Sequence, residues 1–264
     1  MKGTVAVVER GGVRVHSYVA PEDGLRVSTQ IIETAKRLII VDAQFGVPYA
    51  REAAEVARSI GKPIERVIVT HEHPDHYFGA NEFRAPVAAL AEVRDAIATH
   101  GPSVAAARRA QMGDFVPSTI KVPEEILEPG AETVDGLRIE YERYASAEAP
   151  VTLAIGLPEA GALVAQDLVY NRVHLFTGQN DLLGWESALG RLSARGYTTI
   201  FPGHGLPCDV KALEEDLDYL AAARQALAQR NAAAYKAEML RRYPSWSGAS
   251  LIDLSSMYLF PEAR

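Results

Sequence analysis

Apolar and polar positions alternate along residues 3–8 and 13–19, and the break at Arg10-Gly11-Gly12 between them predicts a β-hairpin. Residues 27–33 and 37–42 repeat the pattern, and LIIV within the second run is apolar enough for a buried strand. Residues 48–61 change to a helical period, with Pro48 suited to the first turn and Gly61 to the C-terminal cap. ERVIVT at 65–70 predicts a strand running into a cluster of histidines. Residues 85–90 read as a short strand or a helix start, and 90–112 as helix broken at Gly101-Pro102. Beyond Pro129 four strands are predicted, at 131–134, 137–144, 150–156 and 161–166, separated by Asp-Gly, Pro and Gly breaks. A helix at 185–196, a strand at 198–201 and an alanine-rich helical stretch at 209–242 follow, while the last twenty residues mix aromatics and turns without a clear period.

The two halves echo each other. In the first, a strand ends at Asp42, a helix follows, and a second strand ends in histidine; in the second, a strand ends at Asp167 and the next strand again ends in histidine. Two such halves, each a sheet backed by helices, predict an α/β fold of four layers, αββα, with strand ends meeting at one edge, where ligands usually sit. No low-complexity linker divides the chain, so the expectation is one domain over 1–264 with a helical or irregular C-terminal segment from about 209.

Composition narrows the function. The chain has 264 residues and a net charge of −7, with no block of Lys or Arg, which argues against nucleic acid or an anionic membrane and for a small-molecule substrate. Cys208 is the single cysteine, so no disulfide forms within the chain. The first residues lack an apolar run of signal-peptide length, and no stretch approaches the roughly twenty apolar residues of a membrane span. These features read together as a cytoplasmic protein.

Residues 70–76 read THEHPDH, which spends three of seven histidines within six positions. Strand alternation puts His71 and His73 on one face, and Pro74 then turns the chain so that Asp75 and His76 can point back over the strand end. Imidazole and carboxylate together suit zinc, and also iron and manganese.

THEHPDH resembles the HxHxDH signature of the metallo-β-lactamase superfamily, and later segments of that family appear in order as VAQDLVY (164–170) and IFPGHG (200–205). The resemblance spans roughly residues 5 to 207. It implies a binuclear site in which His71 and His73 hold one divalent ion, Asp75, His76 and His204 hold the other, and Asp167 bridges. Zinc is the first expectation for both ions, with manganese or iron as alternatives. One position departs from the family, which usually carries a histidine between the first motif and the bridging aspartate. Here that stretch is YASAEAPVTLAI (144–155), and the residue in register is Glu148. Glu148 binds the first ion through oxygen, or stands behind it, or is replaced by His100 or His174, which fit less well by position. Asp42 reads as a structural acid at a strand end and Cys208 as a small buried hydrophobe.

The resemblance further implies hydrolysis by a metal-bound hydroxide, oriented by Asp75, on a small-molecule ester, lactone or thioester. A mononuclear iron oxygenase of the same fold and a non-catalytic metal-binding member are the alternatives. Tyr170, Arg172 and His174, in the loop after Asp167, are candidate substrate contacts, while Phe176 and Trp185 read equally as core. Residues 100–125 and the aromatics Trp246, Tyr258 and Phe260 are candidates for a lid or for a homo-oligomer surface.

Overall fold

The computed structural model describes residues 1–261. The first sheet holds seven strands in chain order: β1 (Thr4–Arg10), β2 (Val13–Val19), β3 (Ser28–Glu33), β4 (Leu38–Val41), β5 (Ile64–Ile68), β6 (Val87–Leu90) and β7 (Glu125–Leu127). β1 to β4 are antiparallel, and β4 to β7 run parallel. The second sheet has the order β13-β12-β11-β10-β9-β8, built from β8 (Gly130–Val134), β9 (Leu137–Ala145), β10 (Val151–Leu157), β11 (Ala162–Tyr170), β12 (Thr199–His204) and β13 (Cys208–Asp209). Only β11 and β12 are parallel in it. The helices are α1 (Val47–Ser59), α2 (Pro74–Tyr77), α3 (Ala91–Met112), α4 (Leu182–Ser193), α5 (Lys211–Leu227), α6 (Ala232–Arg242) and α7 (Ala249–Leu259). No helix among the described residues is long and apolar enough to cross a membrane.

The period-2 pattern of the central strands explains the layering. Along β10, Leu153, Ile155 and Leu157 enter one core, shared with the first sheet, while Ala154 enters another. Along β11, Ala162 and Val164 face the first core, and Leu163 and Ala165 face the second. The second core is completed by α4 to α7 through residues such as Trp185, Leu189, Tyr219 and Met239. Both faces of the central strands are therefore covered, as their nearly continuous apolar sequence requires. The result is the expected fold, two mixed sheets flanked by helices.

Local chemistry accounts for most boundaries. Gly11 and Gly12 turn the β1–β2 hairpin with φ of 56° and 77°, a combination costly for side-chain-bearing residues. Asp181 caps α4 by accepting from the Gly184 N–H at 3.0 Å. Asn231 does the same for α6 at 2.9 Å, so the stretch at 209–242 is two helices rather than one. The last twenty residues contain a third, α7.

Helix α3 differs from the expectation of a break at Gly101-Pro102. It runs unbroken through Pro102, because Val93, Ile97, Gly101 and Ala105 form a buried stripe at four-residue spacing. Burial of that stripe outweighs the one backbone hydrogen bond that the proline removes. Strand β11 also departs from expectation: it continues past residue 166 to Tyr170, with irregular pairing to β12 between Val164 and Gln166 and again between Gln166 and Tyr170.

Candidate metal centre

The parallel strands β4, β5, β11 and β12 deliver their C-terminal ends to one edge, and the cluster lies there. Thr70 to His73 follow β5, and α2 begins at Pro74 with His73 as its N-cap. The short helix turns Asp75 and His76 back over the strand end, and the Ala43 N–H fixes it by donating to the His76 carbonyl at 2.8 Å. Glu148 sits in the β9–β10 turn, Asp167 on β11 and His204 at the end of β12.

The side chains converge. His71 Nε2 lies 3.6 Å from Glu148 Oε2 and 3.7 Å from Asp167 Oδ2, and His73 Nδ1 lies 3.0 Å from Glu148 Oε1. His76 Nε2 is 3.2 Å from Asp167 Oδ1 and 3.5 Å from Asp75 Oδ2; His204 Nε2 is 3.2 Å from Asp167 Oδ2 and 3.5 Å from Asp75 Oδ2. Two donor groups result, His71–His73–Glu148–Asp167 and Asp75–His76–His204, with Asp167 within reach of both.

The outward ring nitrogens are already committed. His204 Nδ1 donates to the Leu25 carbonyl at 2.7 Å, leaving its Nε2 lone pair toward the cluster. Thr70 Oγ1 donates to Asp42 Oδ2 at 2.8 Å, so it accepts from His71 Nδ1 at 3.1 Å. His76 Nδ1 faces Asp42 Oδ2 at 2.7 Å. This is the outer hydrogen bonding that metal-holding imidazoles use to fix tautomer and orientation. Asp42 also accepts from the Thr70 N–H at 2.8 Å and from Gln166 Nε2 at 2.5 Å. Its oxygens are thus spent on positioning, although it falls near His71 and His76.

Three supports of the site carry left-handed backbones without being glycine: Leu25 at φ 62°, Asp42 at 59° and Gln166 at 45°. Such conformations persist where surrounding contacts over-determine them, and each of these residues holds a histidine or a partner of one. Gly203 serves the site by lacking a side chain, since a Cβ there would fall 1.7 Å from Asp167 Oδ1.

A divalent ion fits what the cluster leaves unsatisfied. His71 Nε2, His76 Nε2, Asp167 Oδ1 and both Glu148 oxygens are buried and have no hydrogen-bond partner among the described residues. Burying polar groups and charges unpaired costs several kcal/mol in total, and ion coordination removes that cost. Left to themselves, the side chains are strongly polarised. Burial drives the His71 imidazole well below its ordinary pKa, with His76 adding to the effect. Burial also opposes charge on His73, but Glu148 outweighs it and raises that imidazole to about 9. His76 is raised against its burial by Asp167, Asp75 and Asp42. Burial pushes Glu148 up to about 7, whereas for Asp75 and Asp167 the neighbouring histidines overcome burial and lower the pKa.

The other expected residues scatter. Tyr170 enters the site: its hydroxyl donates to Asp167 Oδ2 at 2.9 Å and its ring stacks on His204 at 4.5 Å. Arg172 points outward and pairs with Glu215 at 3.1 Å. His174 is buried behind the site, facing the Tyr219 hydroxyl at 3.2 Å and packed beside Trp246. His100 lines the cavity above the cluster but belongs to neither donor group. Trp185 is core, with its N–H donated to the Leu168 carbonyl, while Phe176 and Tyr258 line the cavity. Phe260 packs near Tyr235, and Cys208 is partly buried as a free thiol. Sequence reasoning missed Gln166, whose adjacency to Asp167 was its only signal; of the lid candidates, residues 100–125 reach the cavity through His100, Gly101, Val104 and Arg108 of α3, and the C-terminal aromatics through Tyr258 of α7.

Comparison with known proteins agrees with this geometry. The profile of the Metallo-beta-lactamase superfamily matches residues 23–204. A linear primary-alkylsulfatase from a Pseudomonas species is 25% identical over 238 residues, covering 75% of this chain and 44% of the relative, so the chain spans under half of that protein's length. Among solved structures, a metallo-beta-lactamase from Pontibacter korlensis superposes with a TM-score of 0.66 at 18% identity, over 83% of this chain and 99% of that one. The FIM-1 metallo-beta-lactamase of Pseudomonas aeruginosa, in a mono-zinc form, gives 0.62 at 20% identity, over 84% and 96%. At these identities the structural likeness speaks for the fold, and the profile match over most of the chain adds the family. The chain belongs to the metallo-β-lactamase superfamily.

Proposed function

We propose that this chain is a metal-dependent hydrolase of an ester-type bond in a small molecule. The observation that carries the reading is the set of buried nitrogen and oxygen donors, unsatisfied by protein, that converge beside Asp75 on the floor of a cavity. In this reading His71, His73 and Glu148 hold one ion, Asp75, His76 and His204 a second, and Asp167 lies between them. Zinc is the first expectation, and a donor set that mixes carboxylates with imidazoles also accepts manganese or iron. Divalent ions bound there would lower the pKa of a coordinated water toward 7 and polarise the oxygen of the scissile group.

The chain's own residues do the rest. Asp75 is the one cluster carboxylate with appreciable solvent access, 15% of its side chain, so it can meet an entering water and accept its proton. Tyr170 holds Asp167 in place through its hydrogen bond and shields His204 by stacking. Carboxylic esters, lactones and thioesters remain in the reading, and the alkylsulfatase relative adds sulfuric esters to it.

The deciding experiment measures metal content by elemental analysis and turnover on a panel of one carboxylic ester, one lactone, one acyl thioester and one alkyl sulfate, in wild type and Asp75→Asn. Hydrolysis that disappears with chelator and falls at least about a hundredfold in the variant supports the reading. One iron per chain with oxygen consumption would make the protein an oxygenase instead. Bound metal without turnover of any panel member would make it a binding protein.

A further inference from the structure

The cavity above the cluster has two chemically distinct parts. Its floor carries Asp75, Glu148, Asp167 and His204, and Glu72 lies on its rim. Its walls are two helix faces. From α3 come Ile97, Gly101, Val104 and Arg108, spaced by four, three and four residues; from α7 come Leu251, Leu254 and Tyr258, spaced by three and four. Each set therefore lies on one side of its helix. Apart from His100, which also lines the cavity from α3, this wall is apolar until its last α3 position, where the Arg108 guanidinium stands. Arg108 is partly buried and makes no ion pair or hydrogen bond among the described residues. A guanidinium at the end of an apolar channel suits an anion carried on an apolar chain. The cavity volume is about 300 Å³. At about 30 Å³ per water-sized group, that admits a ligand of roughly ten non-hydrogen atoms.

We propose that the α3–α7 channel binds a short anionic amphiphile, with a chain of about eight carbons between the helix faces and its anionic group on Arg108, which makes Arg108 the specificity residue of the site. The proposal rests on the hydrolase reading only for which bond is cleaved. Binding of the chain and recognition of the charge stand on the cavity alone.

The test is binding of probes that cannot be hydrolysed. Butane-1-sulfonate, octane-1-sulfonate and neutral octan-1-ol are titrated into the metal-loaded protein by calorimetry, with turnover assayed separately. Four further buried methylenes at roughly three- to fourfold each predict octanesulfonate binding about a hundredfold tighter than butanesulfonate. Arg108→Gln should weaken octanesulfonate about tenfold or more and leave octanol unchanged, while Arg108→Lys recovers part of the loss. Leu254→Trp should abolish the preference for the longer chain. Equal affinity for the two sulfonates overturns the channel, and unchanged sulfonate binding in Arg108→Gln overturns the anion site. Should no ester be hydrolysed while the probes follow the expected pattern, the hydrolase reading fails and this one stands.

Discussion

Tyr170 and Asp167 lie three residues apart on β11, and yet they meet, with the phenol donating to Asp167 Oδ2 at 2.9 Å. Regular alternation puts residues three apart on opposite faces of a sheet. The irregular pairing with β12 between Gln166 and Tyr170 changes that register and brings both side chains to the cluster. The Tyr170 N–H finds its acceptor in the buried Asp216, Oδ2, at 2.8 Å. The bulge thus gives one strand end both a cluster carboxylate and the group that orients it.

Tyr170→Phe should therefore keep the stacking on His204 and lose only the hydrogen bond. Turnover should fall about tenfold with metal content unchanged, whereas Tyr170→Leu, which also removes the ring, should lower metal affinity. Elemental analysis and kcat for the pair separate the two roles. Wild-type kcat in the phenylalanine variant would show the hydrogen bond to be idle.

Asp42 is the hub behind the cluster. It gathers the Thr70 N–H, the Thr70 hydroxyl, Gln166 and His76 Nδ1. Behind Gln166 stands Gln30, 3.4 Å from Gln166 Oε1 and 3.0 Å from the Pro202 carbonyl, so the hub ties β3, β4, β11 and β12 together. Outer partners of metal-holding histidines typically account for 10- to 100-fold in metal affinity. Asp42→Asn should weaken zinc binding within about that range, and Gln166→Leu by less, with far-ultraviolet circular dichroism unchanged. A competition titration against a chromophoric chelator measures both.

Much of this arrangement was legible in the sequence, and the gaps have physical reasons. The strand pattern and its echo place THEHPDH beyond β5 and His204 at the end of β12, while the family resemblance supplies Glu148 and the role of Asp167, which lies within β11 three residues before its end. The continuation of α3 through Pro102 was not legible, because burial of Val93, Ile97, Gly101 and Ala105 decides it. β7 and β13, of three and two residues, are too short to leave a periodic trace. Proximity in sequence placed Arg172 and His174 beside Asp167, but β11 runs on to Tyr170 and the chain then turns away, with Arg172 at φ 53°. Arg108 and Leu254 reach the cavity from helices whose own patterns say nothing about what they cover.

Gly203 offers a sharper test of the packing behind Asp167. A methyl group there would sit 1.7 Å from Asp167 Oδ1, and its next neighbour is the Asp167 backbone nitrogen at 2.7 Å. Displacement of the carboxylate, of β11 or of β12 is needed to relieve that overlap. Gly203→Ala should lose metal content and about a hundredfold in turnover while the chain stays folded. Full metal stoichiometry in this variant would contradict the placement of Asp167.

Proton release should accompany metal loading. In the protein without metal, His73 titrates at about 9, and His76 and His204 are also raised above their ordinary value. An imidazolium cannot ligate, so at pH 7 each such ring must give up its proton to bind an ion. The sign follows: apparent affinity rises with pH, by about tenfold per unit for each proton released, until the last of these rings is neutral. Calorimetry of zinc binding in buffers of different ionisation enthalpy counts the protons. A count of zero at pH 7 would contradict the raised values.

Glu148 carries the most specific prediction, because the family resemblance implies a histidine at this position. Its carboxylate approaches both His71 and His73, and burial, reinforced by the charge of Asp167, drives its pKa up to about 7 against the pull of His73. A buried carboxylate of this kind is costly unless a cation lies beside it. An anionic oxygen donor in place of a neutral imidazole also changes the chemistry. In the proposed two-ion site it would lower the net positive charge presented to a bound water, so that water would keep a higher pKa, and it would make manganese or iron more acceptable relative to zinc. Glu148→Ala should therefore lose the ion near His71 and His73 first, giving about one metal per chain. Glu148→His should keep two, shift preference toward zinc, and move the rising limb of the pH–rate profile to lower pH. Elemental analysis of protein loaded from equimolar zinc and manganese, with pH–rate profiles of wild type and the histidine variant, reads all three effects. Two metals at wild-type affinity in the alanine variant would remove Glu148 from the site.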